Sequence, residues 1–289
     1  MRVPRVAVIT VSYRSDRYLD DFLHSVGESG LAPEAVIVAD NAPDDEGAAR
    51  ITSRHGAGYL PMEGNLGYGG AINRAESSLD PSIEWILISN PDVVLGPDAL
   101  SELVDAGESD PHAGSIGPLV RNSDGSVYPS ARTVPSLRIG VGHAILGRPW
   151  PTNPFTREYH GGAQEGRRSV GWLSGSCLLV RRSAFRQIGG FDEGFFMYFE
   201  DVDLGYRLGK SGWLNVYDPD AEVVHTGAHS TESSNDMLRA HHLSAERFIA
   251  KKYRGRILAP LRLALIVGLR VRSSIVSARA GQPSSNDSK

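Results

Sequence analysis

Three short apolar runs, residues 6–11, 35–39 and 85–89, each give way to polar residues: Ser12, then Asp40-Asn41, then Asn90-Pro91-Asp92. Continuous runs of this length read as strands buried on both faces. What lies between them has a different period. Residues 16–26 place Leu19, Phe22, Leu23 and Val26 on one helical face, with Ser15 or Asp16 as N-cap. Residues 48–54 read as a short helix and 58–60 as a third strand. Asn65-Leu66-Gly67-Tyr68-Gly69-Gly70 opens a helix that runs to about Ser78. Strands alternating with helices predict an α/β fold, a doubly wound and mostly parallel sheet.

After Pro118 the pattern weakens. Residues 121–168 are rich in Gly, Pro, Ser and Arg, and are expected to form long loops and a flexible insertion. Regular elements resume with a strand over 172–180 and a short helix over 183–188 that Gly189-Gly190 would end. A helix over 201–210, strands over 214–217 and 221–225, and a helix over 235–253 follow. The expected organisation is one domain over residues 1–250, a basic amphipathic segment over 251–279, and a disordered tail over 280–289.

Composition enters at two points. The single cysteine, Cys177, excludes an intramolecular disulfide framework, suits a reducing compartment, and reads as a buried small hydrophobe. Charge is unevenly spread. Residues 251–279 carry eight Lys and Arg and no acid; subtracting these from the formal −4, with Asp287 and Lys289 cancelling, leaves −12 for residues 1–250. Leu, Ile and Val interleaved with those cations suit a helix lying on an anionic membrane surface. No run reaches the roughly 18 apolar residues of a membrane span, and no secretory leader is expected. Nucleic acid is not expected as a partner, and the oligomeric state, monomer or homodimer, is left open.

The chemistry concentrates in carboxylates. Glu200, Asp201 and Asp203 fall within four positions after the aromatic run Phe196-Met197-Tyr198-Phe199. Crowded carboxylates repel one another, a cost that proteins accept where a base or cation is needed. Asp203 and Arg207, four apart, read as a helix pair, which leaves Glu200 and Asp201 as candidate bases. Asp92 follows a strand, where open α/β sheets bind ligands and where a divalent cation would need a hard oxygen ligand, although Asn-Pro-Asp is also a good turn. Asp40 and Asn41 occupy the same place after another strand and suit a base or ribose. The glycines of 65–70 permit close backbone approach and precede a helix N-terminus that favours phosphate. His225, at a strand end, is a candidate partner of Asp92; His229 lies just beyond it. Trp172, Ser174 and Gly175 are candidate walls of an acceptor pocket.

Taken in order, residues 8–13, Val38-Ala39-Asp40-Asn41, 65–73, Asn90-Pro91-Asp92, Gly189-Gly190-Phe191-Asp192-Glu193, Phe199-Glu200-Asp201-Val202-Asp203 and His225 resemble the family-2 inverting glycosyltransferases with a GT-A fold. The resemblance spans roughly residues 5–230. Within that family the chain is most similar to actinobacterial rhamnosyltransferases that act on GlcNAc-diphosphoryl-polyprenol. It implies a Rossmann-like nucleotide-binding half with C-terminal helices. It implies a nucleotide-sugar site at Thr10, Ser12, Tyr13, Asp40, Asn41, Asn65, Gly67, Tyr68, Gly69, Asn73, Asn90 and Asp92, and an acceptor site at Trp172, Ser174 and Gly175. Asp201 is the implied base, with Glu200 beside it. Asp92 and His225 are the implied holders of Mg²⁺ or Mn²⁺. Asn90 stands where a full DXD motif has its first Asp. The implied partners are dTDP-L-rhamnose, a lipid-linked glycan acceptor and an anionic membrane, at the cytoplasmic inner face of the cell membrane. The rival readings are another nucleotide-sugar donor, a sugar-1-phosphate nucleotidyltransferase and a non-catalytic membrane-surface scaffold. The nucleotidyltransferase would want an early glycine-rich basic loop, and residues 9–17 hold Arg14 and Arg17 but no glycine.

Overall fold

The computed structural model describes residues 5–280 apart from 31, 44–45, 137–149, 151, 153–165 and 227–234. The first half follows the expected alternation. Strands β1 (Val6–Ser12), β2 (Ala35–Asp40), β3 (Gly58–Pro61) and β4 (Trp85–Ser89) are separated by helices α1 (Asp16–Gly27), α2 (Glu46–Arg54) and α3 (Gly67–Ser77). They pair in the order β3-β2-β1-β4, all parallel. The α1 residues Leu19, Phe22, Leu23 and Val26 are all buried, as their spacing predicts. The cap differs: no Ser15 side-chain bond closes the helix, and the Ser15 carbonyl accepts from the Tyr18 and Leu19 amides instead.

The second half adds β5 (Val93–Leu95), helix α4 (Ala99–Ser109), β6 (Ala113–Asn122), β7 (Val127–Tyr128), β8 (Ala131–Arg132), β9 (Arg168–Val170), β10 (Trp172–Leu173) and β11 (Cys177–Arg181). Helices α5 (Arg182–Gln187) and α6 (Glu200–Lys210), strand β12 (Leu214–His225), and helices α7 (Asn235–Lys252) and α8 (Ala259–Ala280) complete the chain. The sheet continues β4-β11-β6-β12-β5. Strand β11 runs antiparallel to both β4 and β6, while β12 is parallel to β6. The sheet is therefore parallel over its first four strands and mixed beyond. An antiparallel return needs no helical crossover, so β11 enters between β4 and β6 directly after a turn.

Three strand expectations change in detail. Residues 172–180 are two strands, not one: Trp172 and Leu173 pair with β8, and Cys177 onward pairs with β4. The break at Ser174-Gly175-Ser176 has a local cause, since the Ser174 hydroxyl accepts the Ser176 amide. Conversely, 214–217 and 221–225 form one strand, with register shifts where Pro219 interrupts the ladder. The start of the 121–168 stretch is ordered into β7 and β8, while the part expected to be a flexible insertion falls mostly outside the described residues.

Alternate side chains of each strand feed two cores. Val6, Val8, Trp85, Leu87 and Leu179 meet α1, α2 and α4 on one face. Ala7, Ile9, Ile86, Ile88 and Leu178 meet α3, α5 and α6 on the other. Each such Ile or Leu contributes about 1.5–3 kcal/mol by burial. Cys177 lies in the first core, its thiol pushed up to about 12 by burial. The expected boundary at residue 250 falls inside α7, which the domain holds firmly. Phe248 packs with Phe195 and Val202, and Lys251 binds Asp192 and Asp203 at 2.7 Å each.

Candidate active site

Six chain segments converge at one end of the sheet: the ends of β1, β2, β4 and β12, the turn before β11, and the start of α6. Direct bonds join them. The Asn90 amide donates to the Ser176 carbonyl at 2.8 Å. The Gly175 amide donates to Asp201 Oδ2 at 3.0 Å, and the Gly175 carbonyl accepts the Tyr68 hydroxyl at 2.5 Å. Tyr68 is pushed well above the usual tyrosine range, first by burial and then by the charges of Glu200, Asp201 and Asp92 among others. Asp92 thus acts on the same ring as Glu200 and Asp201, more than 100 residues further along the chain.

Asp201 is the most constrained of them. Its Oδ2 accepts from Gly175 and its Oδ1 from Val202 at 2.7 Å. Burial raises its pKa, while these two amides and the charge of Arg132 pull the other way. Glu200 is pushed up to about 8, chiefly by burial and then by Asp201, and its Oε2 is buried with no partner among the described residues. Burial thus raises both carboxyls of the pair, and at Asp201 the Gly175 and Val202 amides and the charge of Arg132 offset part of it. Two consecutive left-handed residues, Tyr198 (φ 66) and Phe199 (φ 64), aim this helix start. Such backbone costs on the order of 1–3 kcal/mol per residue and persists only under external support. Helix α7 supplies that support: His241 stacks edge-on against both rings, Phe248 packs on Phe199, and Ser244 donates to the Met197 carbonyl at 2.8 Å.

The Glu200 shift has a consequence for stability. Its folded pKa of about 8 exceeds its ordinary 4.5, so the folded chain keeps a proton that the unfolded chain has already lost. This contribution is full below the lower value and is lost as pH rises through the upper one. The melting temperature is expected to fall across that window, and Glu200→Gln is expected to weaken the dependence. An unchanged pH profile of melting in the variant would contradict the assignment.

His225 Nε2 lies 3.0 Å from Asp92 Oδ1, across 133 residues of sequence, and its Nδ1 is buried without a partner among the described residues. Thr226 fixes the Asp92 carbonyl through its amide at 2.8 Å and its hydroxyl at 2.9 Å. No group of three or more metal-ligating side chains occurs among the described residues, so a cation here would have one carboxylate and one imidazole from the protein. His229 lies outside the described residues.

The nucleotide-sugar candidates divide by geometry. Asp40 is buried at a strand end, accepting from the Tyr59 hydroxyl at 2.8 Å and the Ala42 amide at 3.0 Å, and each oxygen retains a free lone pair. Thr10 and Ser12 are fully buried beneath it, and Tyr13 is half exposed at the rim. Asn41 turns inward: its amide donates to the Gly67 carbonyl, and its carbonyl accepts the Leu66 amide. Asn65 accepts the Gly67 amide at 3.0 Å. Asn73 clasps the 191–193 loop, donating to the Phe191 carbonyl at 2.9 Å and to Glu193 at 3.1 Å while accepting the Phe191 amide.

Two glycines of this loop are required by packing alone. Gly67 has φ +74, and a Cβ there would come within 2.3 Å of the Phe196 carbonyl; a Cβ on Gly69 would strike Phe191. Tyr68 likewise packs edge-on against Phe191. Of the acceptor candidates, Gly175 touches Asp201 directly. Ser174 is 3.1 Å from Ser176 Oγ, and Trp172 donates to the Thr133 carbonyl. Two features carried no sequence signal: the supporting role of α7, and Arg132, which lies in the weakly patterned stretch yet reaches Asp201 with its charge.

A mostly parallel half-sheet carrying carboxylates at its strand ends, with a buried carboxylate pair on an adjoining helix, is an arrangement suited to a sugar-nucleotide-dependent transferase. Residues 4–243 match the family described as glycosyltransferase-like family 2, and the chain belongs to that family. It is 48% identical over 290 residues to the N-acetylglucosaminyl-diphospho-decaprenol L-rhamnosyltransferase of Mycobacterium tuberculosis, covering 94% of each chain. It is 30% identical to the rhamnosyltransferase WbbL of Escherichia coli, over 86% of this chain and 93% of that one. Among solved structures, the mannosyltransferase PcManGT from Pyrobaculum calidifontis, in complex with GDP-Man and Mn²⁺, superposes with a TM-score of 0.60 at 16% identity, covering 97% of this chain and 76% of that chain. That likeness carries the GT-A fold.

Proposed function

We propose that the chain transfers L-rhamnose from dTDP-L-rhamnose, with inversion, to a GlcNAc-diphosphoryl-polyprenol acceptor in cell-wall or polysaccharide assembly. The observation that carries this is the 48% identity over 94% of both chains to an enzyme of that name, spanning every segment that converges on Asp201. Membership of a glycosyltransferase family decides against the nucleotidyltransferase and the inert scaffold.

In this reading Asp201 takes the proton of the acceptor hydroxyl as that oxygen bonds to the anomeric carbon. The bond from that carbon to the nucleoside diphosphate breaks on the opposite face, so configuration inverts in a single displacement. Gly175 and Val202 hold both carboxylate oxygens in register for the transfer. Asp40 suits the nucleoside and Asp92 the diphosphate end. The donor set of Asp92 and His225 fits a divalent cation that leaves its remaining positions to diphosphate and water, and Mg²⁺ or Mn²⁺ bound there would neutralise charge on the leaving group. The Mn²⁺ in the Pyrobaculum complex supports a divalent ion in this fold. Asp92→Ala is expected to weaken nucleoside-diphosphate affinity and to abolish its dependence on metal; calorimetric binding unaltered by a chelator in both proteins would rule this out.

The test of the whole reading is transfer of labelled rhamnose to a short-chain GlcNAc-diphosphoryl lipid, beside a thermal-shift panel of nucleotide sugars. A different sugar nucleotide transferring faster would overturn the donor.

The C-terminal helix fits a membrane surface on a reduced charge count. Lys251 and Arg270 are ion-paired, the latter with Glu246 at 2.7 Å, which corrects the expectation that these cations meet no acid. Ile257 is 94% exposed, and Leu263 and Val267 are at least half exposed beside Arg254 and Arg256. No helix among the described residues is long and apolar enough to cross a membrane. Truncation after Tyr253 keeps the Lys251 anchor, so the protein is expected to stay folded, lose binding to anionic vesicles, and use a soluble acceptor analogue nearly as well as before. At roughly 1 kcal/mol per surface cation, high salt should reproduce part of the loss. Unfolding of the truncated chain would make the segment a packing helix instead.

A further inference from the structure

Beside the base stands an arginine that the mechanism above does not use. Arg132 pairs in register with Trp172 in the small β8–β10 ribbon. Its guanidinium lies 5.6 Å from the Tyr128 ring centroid and 5.6 Å from that of Trp172. Its Nε donates to the Pro129 carbonyl at 2.7 Å, which fixes the plane of the group. Its other nitrogens have no carboxylate partner among the described residues. The contrast with its neighbours is informative. Arg182 is bound to Glu76, Arg207 to Asp203, Arg247 to Asp192 and Arg121 to Glu222. Arg132 is half-buried, stacked and oriented, yet its charge is unmatched, and it lies within reach of Asp201 without forming an ion pair with it.

A stacked, pre-oriented fork with free N–H donors is the arrangement that grips phosphate oxygens bidentately. In the proposed reading the donor's diphosphate is at the strand ends with Asp92 and His225, whereas Arg132 sits on the β8–β10 ribbon with Trp172. The acceptor approaches from the side of Trp172 and Gly175, where Asp201 meets its hydroxyl. We infer that Arg132 binds the diphosphate of the lipid-linked acceptor and is a specificity-determining residue for a sugar 1-diphosphate over a neutral glycoside. This rests on the acceptor class proposed above. The acceptor sugar then lies between two fixed points, its hydroxyl on Asp201 and its anionic end on Arg132, and the aromatic face of Trp172 flanks the cation.

The test compares Arg132→Gln with the wild-type chain on two acceptors, a GlcNAc-diphosphoryl short-chain isoprenoid and an uncharged alkyl glycoside of GlcNAc. For the diphosphate acceptor KM is expected to rise about 10- to 100-fold with kcat changed less than about threefold, as for loss of a charge-assisted hydrogen-bonded contact. For the glycoside KM is expected to hold, as is the affinity for dTDP, with kcat changed no more than it is on the diphosphate acceptor. Arg132→Lys, which keeps the charge without the fork, is expected to fall between, and serves as the test variant if the Gln protein does not fold. An equal loss on both acceptors that is recovered at higher pH would reduce Arg132 to tuning Asp201 and overturn the inference. Weakened dTDP binding would reassign it to the donor, which also overturns it. If the wild-type chain ignores GlcNAc diphosphates altogether, the acceptor proposal fails by itself, and the same charged-against-neutral comparison on the acceptor actually used decides Arg132.

Discussion

Asp201→Asn is expected to lower turnover by about 10²-fold or more while nucleotide-sugar affinity stays within about twofold. Asparagine keeps the shape of the side chain, and its carbonyl still accepts the Gly175 amide that now bonds Oδ2. What it cannot do is receive a proton. Glu200 is a poor substitute, because burial raises its pKa and its Oε2 is buried with no partner among the described residues. Single-turnover rates with a fixed acceptor, beside calorimetric titration of the donor, separate the two effects. A variant that turns over near-normally would remove Asp201 from the chemistry.

The second large effect is on folding. Asp203 is completely buried and binds Arg207 Nε at 2.6 Å and Lys251 Nζ at 2.8 Å. Asp203→Ala leaves Arg207 without its anion and Lys251 with Asp192 alone, and breaking a buried pair in this way costs about 3–5 kcal/mol. At roughly 2–4 °C per kcal/mol for a chain of this size, melting should fall by roughly 6–20 °C. Lys251 ties α7 to both Asp192 and Asp203, so losing one of the two ties should loosen α7 and with it the support under Tyr198 and Phe199. Activity should therefore fall at temperatures where the variant is still folded. A melting shift of a degree or two would show that the network is solvated and dispensable.

The nucleotide-binding half was legible because each of its elements is locally specified. The two-faced apolar runs, the helical spacing of Leu19, Phe22, Leu23 and Val26, and the polar residues at strand ends all point one way. The carboxylate cluster was legible for a related reason: acids beside aromatics are anomalous wherever they occur. The jobs of Asn41, Asn73 and Gly69 were not legible, because each is fixed by a partner outside its own element. Asn73 and Gly69 answer to Phe191, which lies 118 residues on from Asn73. Arg132 was hidden for the opposite reason. Its surroundings are irregular, and its meaning comes from lacking, among the described residues, the carboxylate partner that Arg121, Arg182, Arg207 and Arg247 have. The antiparallel direction of β11 was likewise out of reach, since an apolar run does not record which way its neighbours point.

Strand β11 has a consequence for how the protein is made. β4 and β6 are neighbours of β11, not of each other, so the two halves of the sheet are joined only through a strand that emerges later. Residues 123–176 must leave the ribosome after β6 before that strand arrives, about 3–10 s at the usual pace of synthesis. During that interval the hydrophobic edge of β4 stands open beside a nascent β3-β2-β1-β4 layer, in the form most apt to pair with another chain. Chaperone demand and the effect of slow codons should therefore peak over this stretch rather than at either terminus, and the same segment that sets Gly175 against Asp201 decides when the molecule becomes safe from aggregation.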